Sequence, residues 1–302
     1  MKYDIEVDNI SKKFVKPDVQ ALEDINFNVK TGSLFGLIGA DGAGKTTLFR
    51  ILTTLLLADK GSATVHGRDV VKDFKILRSL IGYMPGRFSL YTDLSVEENL
   101  QFFATLHKTT IDAGYHLIKD IYQQIEPFKN RRAGQLSGGM KQKLALSCAL
   151  IHQPKVLFLD EPTTGVDAVS RKEFWNMLKN IKNQGVTILV STPYMDEAVL
   201  CDEIALIQNG KILSIAPPST IIDQFPDVLY SVSGSQIGKL LEDVSKFQDI
   251  KSCFSFGDTI HVTLKQGDIN GLQKELIQRG HPEVVIDTIV PTIEDCFIRL
   301  MQ

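Results

Sequence analysis

Residues Gly39-Ala40-Asp41-Gly42-Ala43-Gly44-Lys45-Thr46 fit the phosphate-binding pattern G-x-x-x-x-G-K-[ST] without a mismatch. A glycine-rich turn can direct its backbone N–H groups around an anion, and a helix starting there adds the positive end of its dipole. Lys45 would supply a point charge for β- and γ-phosphates, and the Thr46 hydroxyl an oxygen for Mg²⁺. A second candidate is Val156-Leu157-Phe158-Leu159-Asp160-Glu161, an apolar run ending in two carboxylates. Asp160 can hold Mg²⁺ directly or through water, and Glu161 is positioned to polarise an attacking water as a general base. Strands often end in acids, but with Lys45 and Thr46 upstream the two motifs describe one magnesium–nucleotide site. The third candidate is Leu136-Ser137-Gly138-Gly139-Met140-Lys141-Gln142. Ser137 is a good N-cap for a helix continued by Leu144, Leu146 and Leu150. Two glycines at that start lower helix stability but leave N–H groups open to a phosphate.

These groups need a frame to hold them. Leu34 to Ile38 reads as a buried strand leading into the glycine-rich loop, and Thr46 to Leu57 as the helix leaving it. The first thirty residues alternate apolar with polar, as in Ile25-Asn26-Phe27-Asn28-Val29, and predict two or three antiparallel strands. Ser95-Val96-Glu97-Glu98 is a capping-box signature for a helix to about His107, and Ile111 to Phe128 carries helical spacing. Lys155–Asp160 and Val186–Ser191 read as strands flanking a helix over Ser170–Ile181. Alternating strand and helix indicate a mostly parallel sheet covered on both faces. Prolines at 217, 218 and 226 punctuate the chain, which places a boundary near 225. Beyond it the order strand, helix, strand, strand, helix, strand fits a small split-βαβ domain, closed by a helix over Ile293–Met301.

The chain has 302 residues, room for one large and one small domain. A net charge of −3 argues against nucleic acid as a partner. Four scattered cysteines lack metal-ligand spacing and read as reduced, buried thiols. No N-terminal stretch resembles a signal peptide, and no apolar run is long enough to span a bilayer. The expectation is a soluble, cytoplasmic chain that reaches a membrane only through partners. His261 and His281 read as lone surface or packing residues, and the tail shows no catalytic cluster.

The glycine-rich loop, the Leu-Ser-Gly-Gly-Met run, Asp160-Glu161-Pro162 and Gly165-Val166-Asp167 follow one another in the order found in ATP-binding cassette (ABC) proteins. The chain resembles a nucleotide-binding subunit of an ABC transporter over residues 3 to 220. Asp41, Tyr83-Met84-Pro85 and the ending Pro291-Thr292-Ile293-Glu294-Asp295-Cys296-Phe297 bring it nearer the amino-terminal cassette of tandem-cassette bacterial multidrug exporters of the daunorubicin-resistance type. The resemblance implies an α/β P-loop NTPase cassette in residues 1–224: a mixed sheet core, an antiparallel β subdomain and a helical subdomain at about 88–150. It implies a small accessory α+β (ferredoxin-like) domain in 225–302. It also implies ATP and Mg²⁺ as cofactors, with ATP held by Phe14 stacked on adenine and by Gly39, Ala40, Asp41, Gly42, Ala43, Gly44, Lys45, Thr46 and Thr47. Thr46 and Asp160 would hold the metal, with Glu161 and Lys45 catalytic. Ser137, Gly138, Gly139, Met140 and Gln142 would act on the ATP of a second cassette, and Asp167 would work across that dimer interface. The remaining partners implied are transmembrane permease subunits, which would hold this chain at the cytoplasmic face of the inner membrane.

Two positions depart from the family pattern. After Tyr83-Met84-Pro85 the family has glutamine, which contacts Mg²⁺ and the attacking water and senses the membrane partner; this chain has Gly86. After Ser191-Thr192 the family has a histidine that contacts the γ-phosphate; this chain has Pro193. Neither glycine nor proline can replace the missing group. The expectation is a site that binds ATP but hydrolyses it slowly, in a chain paired with a fully equipped second cassette, with a homodimer as the alternative. Other readings are a regulatory nucleotide-binding module and a non-transport ABC protein.

Overall fold

The computed structural model describes residues 2–301 and divides into two compact units, one running to Pro218 and the other spanning Ser219–Arg299. The first unit is built on two sheets. Strands β1 (Tyr3–Val15), β2 (Asp18–Lys30), β4 (Lys60–Val65) and β5 (Arg68–Asp69) form an antiparallel sheet in the order β2-β1-β4-β5. Strands β3 (Leu34–Ile38), β6 (Ile81–Met84), β7 (Val156–Asp160), β8 (Thr187–Thr192), β9 (Glu203–Gln208) and β10 (Lys211–Ala216) form the other, ordered β10-β9-β3-β8-β7-β6. Its pairings are parallel except the edge pair β9–β10.

The central strands β3, β7 and β8 are buried at every residue, as their apolar runs require when both faces are covered. Helix α1 (Lys45–Leu52) packs Phe49 edge-on against Phe158 of β7, ring centroids 6.0 Å apart, within a core that also takes Phe35, Leu37 and Leu189. Helix α6 (Ala168–Asn183) contacts β3 and β8. Between β5 and β7 come α2 (Phe74–Leu80), α3 (Val96–Leu106), α4 (Ile111–Tyr122) and α5 (Gly138–Leu150), the helix-rich stretch. The capping box at the start of α3 is present, with Ser95 accepting from the Glu98 amide and Glu98 accepting from the Ser95 amide.

Two helices end earlier than their periodicity predicts. Helix α1 stops at Leu52 because Thr54 adopts a left-handed conformation, φ 67°, and this leaves Leu55 and Leu57 exposed. Helix α4 stops at Tyr122 and a 3₁₀ turn over Glu126–Phe128 follows, since Pro127 has no N–H to continue the ladder.

Helix α7 (Pro218–Asp223) opens at the break between the units. Beyond it run β11 (Leu229–Ser233), α8 (Ile237–Ser245), β12 (Ile250–Phe256), β13 (Thr259–Leu264), α9 (Ile269–Gln278), β14 (Val285–Ile289) and α10 (Ile293–Leu300). The four strands pair antiparallel in the order β12-β13-β11-β14, the split-βαβ arrangement, and Val232, Ile260 and Val262 meet Leu240 and Leu272 of the helices in one core. The two histidines here are packing residues, each beside a carboxylate. His261 Nδ1 lies 2.7 Å from Asp295, the acid that caps α10 by accepting from the amide and hydroxyl of Thr292. His281 is buried and lies 3.0 Å from Asp243.

Candidate functional site

The glycine-rich loop joins β3 to α1, and its shape depends on two glycines in particular. A Cβ at Gly39 would lie 2.1 Å from the Ile207 carbonyl oxygen, and one at Gly44, where φ is 107°, 2.4 Å from that of Ala21. The loop is tied down at both ends: the Gly39 amide donates to the Thr192 carbonyl, and the Ala43 carbonyl accepts from the Gly210 amide. No side chain caps α1, so the amides of its first turn are left for another acceptor. Lys45 is buried. Its Nζ donates to the carbonyls of Gly39 (2.8 Å) and Ala40 (3.0 Å) and lies 3.1 Å from Glu161 Oε1.

The parallel register of β3, β8 and β7 brings the remaining groups together. Ile38 pairs with Thr192, and Asp160 with Ser191, so the C-terminal ends of three adjacent strands meet at the loop. Asp160, 2 % exposed, accepts a 2.7 Å hydrogen bond from the Ser191 hydroxyl. Burial, and after it the Asp160 carboxylate, push the neighbouring Tyr83 phenol up to about 12. Glu161 takes a left-handed backbone, φ 51°, which turns the chain sharply after the strand.

A cleft of about 360 Å³ is lined by Phe14, Lys16, Val19, Gly42, Gly44, Lys45, Thr46, Thr47 and Glu161. The structure thus gathers the aromatic of β1, the loop, the start of α1 and the candidate base around one space. The donors suit a magnesium nucleotide: open amides and an ammonium for phosphate, a threonine hydroxyl and a carboxylate for a hard cation, a half-buried ring beside them. Thr46 and Asp160 would hold the metal.

The glycine-pair segment is set apart from this cleft. Ser137 caps α5, accepting from the Met140 amide, and among the described residues no hydrogen bond or ion pair joins residues 137–142 to residues 39–47. Gly139 instead lies against α6, where a Cβ would come within 3.0 Å of the Ser170 hydroxyl. Asp167 caps α6, and the Ser170 amide it accepts holds its carboxyl below the ordinary carboxylate range. Gly86 lies directly against the end of β7, where a Cβ would be 3.0 Å from the Asp160 carbonyl oxygen.

A group of residues supporting the site has no obvious sequence signal. Glu197, 2 % exposed, accepts from the hydroxyls of Thr192 and Thr163 and from Arg171 Nε. It ties the end of β8 to the turn after Glu161 and to α6. Thr192 in turn accepts from the Tyr194 amide, which fixes the backbone on either side of Pro193. The hydroxyl pair Ser191-Thr192 could have been found as the polar end of a fully buried strand; Glu197 becomes visible only in three dimensions.

Comparison with known proteins agrees with this geometry. A family profile described as "ABC transporter" matches residues 22–164. The probable multidrug ABC transporter ATP-binding protein YbhF of Escherichia coli strain K12 is 38% identical over 305 residues, covering 98% of this chain and 52% of that protein, so the chain spans about half the length of this curated relative. The Nod factor export ATP-binding protein I of Sinorhizobium fredii is 33% identical over 308 residues, 98% of this chain and 85% of that one. Among solved structures, cbiO1 from Clostridium perfringens, part of the ABC transporter complex cbiONQ, superposes with a TM-score of 0.66 at 26% identity, over 74% of this chain and 92% of that chain. The fold is therefore the P-loop ABC cassette that the three motifs imply, and the chain belongs to the ATP-binding proteins of ABC transporters.

Proposed function

We propose that this chain is the ATP-binding subunit of an exporter and that its own site is a slow one, with its Ser137–Gln142 segment completing the site of a second, fully equipped cassette. The single observation carrying the first half is the cleft in which Phe14, the loop amides, Lys45, Thr46 and Glu161 converge. Bound magnesium would neutralise charge on the phosphate oxygens and orient them. The chain's own groups do the rest. Lys45 and the first-turn amides bind the anion, Phe14 presents a face to the base, and Glu161 is the group that accepts a proton from the attacking water. Lys45 Nζ, 3.1 Å from Glu161 Oε1, ties the candidate base to the phosphate loop.

Slow turnover follows from what stands beside those groups. Gly86 abuts Asp160 and Glu161 yet offers neither donor nor acceptor from a side chain. Pro193, in a segment fixed by Thr192 and Glu197, offers no N–H either. Loss of one preorganised donor at a developing charge costs about 10²–10³ in rate.

A second cleft, about 840 Å³, borders the segment around Gly86 and supports a permease-facing side. Its apolar floor includes Ile81, Leu90 and Phe103, and Lys75, Arg78, Arg87 and Lys108 line it. No helix among the described residues is long and apolar enough to cross a membrane, so in this reading the chain reaches the inner membrane through that partner, on the cytoplasmic face.

Single-turnover hydrolysis with the purified chain in excess over labelled ATP tests the proposal. Expected is a nucleotide that stays bound and is cleaved slowly, with turnover rising when a cassette carrying the glutamine and histidine is added. Brisk cleavage by the chain alone, lost in Glu161→Gln, would contradict the slow site. The second reading, a regulatory module, is favoured by Gly86 and Pro193 together; it predicts no cleavage under either condition.

A further inference from the structure

We propose that Ser191 is a positioning residue for the metal-holding carboxylate, orienting Asp160 through its hydroxyl while its carbonyl secures the strained backbone of Glu161. The inference rests on the reading of the site as one for a magnesium nucleotide and goes further in assigning the orientation of both acids to one residue of the neighbouring strand. Ser191 is fully buried between β3 and β7 and is the register partner of Asp160. Its Oγ donates to Asp160 Oδ1 at 2.7 Å. The same oxygen accepts from the Glu161 amide at 3.0 Å, and the Ser191 carbonyl accepts from that amide at 3.1 Å.

The consequences differ for the two acids. A carboxylate at a strand end can rotate about its terminal torsion, which is broad and roughly two-fold. The hydroxyl fixes that rotation, so the remaining oxygen keeps one direction for a cation or its water. Glu161 is a non-glycine residue at φ 51°, a conformation that persists only where its surroundings enforce it. Its amide is held twice, by a side chain and by a main chain. Removing the hydroxyl therefore leaves the main-chain bond and the strand pairing in place, and the local fold survives while the Asp160 carboxylate loses its constraint. Thr192 complements this on the other side, since its carbonyl accepts from the Gly39 amide and so fixes the start of the phosphate loop.

The test is the affinity of the full chain for a non-hydrolysable ATP analogue, measured in millimolar Mg²⁺ and again in EDTA. In the wild type Mg²⁺ is expected to tighten binding. In Ser191→Ala the EDTA affinity is expected to stay within about twofold of wild type, while the Mg²⁺-dependent gain falls about tenfold, the scale of one hydrogen bond to a charged group. A merely structural role would weaken both affinities together. Should Ser191→Ala lose its near-UV circular dichroism, Ser191→Cys, close in size with a weak donor, is expected to reduce the same gain. A Mg²⁺ gain unchanged in the folded variant overturns the inference and leaves the nucleotide site standing. Wild-type protein that binds no analogue under either condition overturns both.

Discussion

At the scale of the residue, the site is held by groups that touch no substrate. Glu197 is the clearest case. It is a buried carboxylate with three donors, one each from the end of β8, the turn after Glu161 and α6. Removing the acid leaves two buried hydroxyls without their acceptor and takes from Arg171 one of its two carboxylate partners, Asp196 remaining, which costs more than the bonds themselves contribute. Glu197→Ala is expected to lower stability by about 3 kcal/mol, read as a shift in urea midpoint, and Glu197→Gln by less because one acceptor oxygen remains. A shift under about 0.5 kcal/mol, the range of ordinary surface substitutions, would show that the three bonds do not act as a unit. The candidate phosphate- and metal-binding residues could be picked out from the sequence because such binding restricts residue type and spacing. The residues that steady them could not. A hydroxyl or carboxylate used as a local strut carries no spacing rule, and Ser191 and Glu197 acquire their roles only through the parallel register of β3, β8 and β7.

At the scale of the element, the positions of strands and helices follow the periodicity closely, and the two overlong helix expectations fail for local reasons. The left-handed turn at Thr54 and the proline at 127 outweigh apolar patterns that would otherwise extend α1 and α4. The helical layer contains one feature with a pH signature. His107 at the end of α3 and His152 after α5 stack face to face, centroids 3.8 Å apart, and His152 is 2.8 Å from the Ile81 carbonyl at the start of β6. Burial, and then the neighbouring His107, push the His152 imidazole down to about 4, against the small opposing effect of that carbonyl. An unfolded histidine titrates near 6.5. Between those values the unfolded chain binds more protons than the folded one, so stability is full above about pH 6.5 and falls as pH drops toward 4. Replacing His152 by glutamine is expected to flatten the dependence of melting temperature on pH between about 7 and 5. An equal slope in the variant would show that other groups carry it.

At the scale of the whole molecule, the two units serve different ends. The first holds every element of the proposed nucleotide site, and its fold was readable because a buried parallel sheet imposes apolar runs with candidate functional residues at the carboxyl ends of its strands. The second has its own core, and its strand order was readable from alternation and turns alone; what it does for the assembly was not, because no constellation in it carries chemistry. The proposed division of labour, with nucleotide bound here and fast hydrolysis supported on a second cassette, depends on the loop at 39–46 gripping phosphate with the metal held from Asp160. Isothermal titration calorimetry of the folded chain with ATP and Mg²⁺ addresses this most directly. The account predicts saturable binding at one site per chain, weakened between about tenfold and a hundredfold in Lys45→Ala. Absence of heat at millimolar nucleotide, or binding that is indifferent to Lys45, would contradict it.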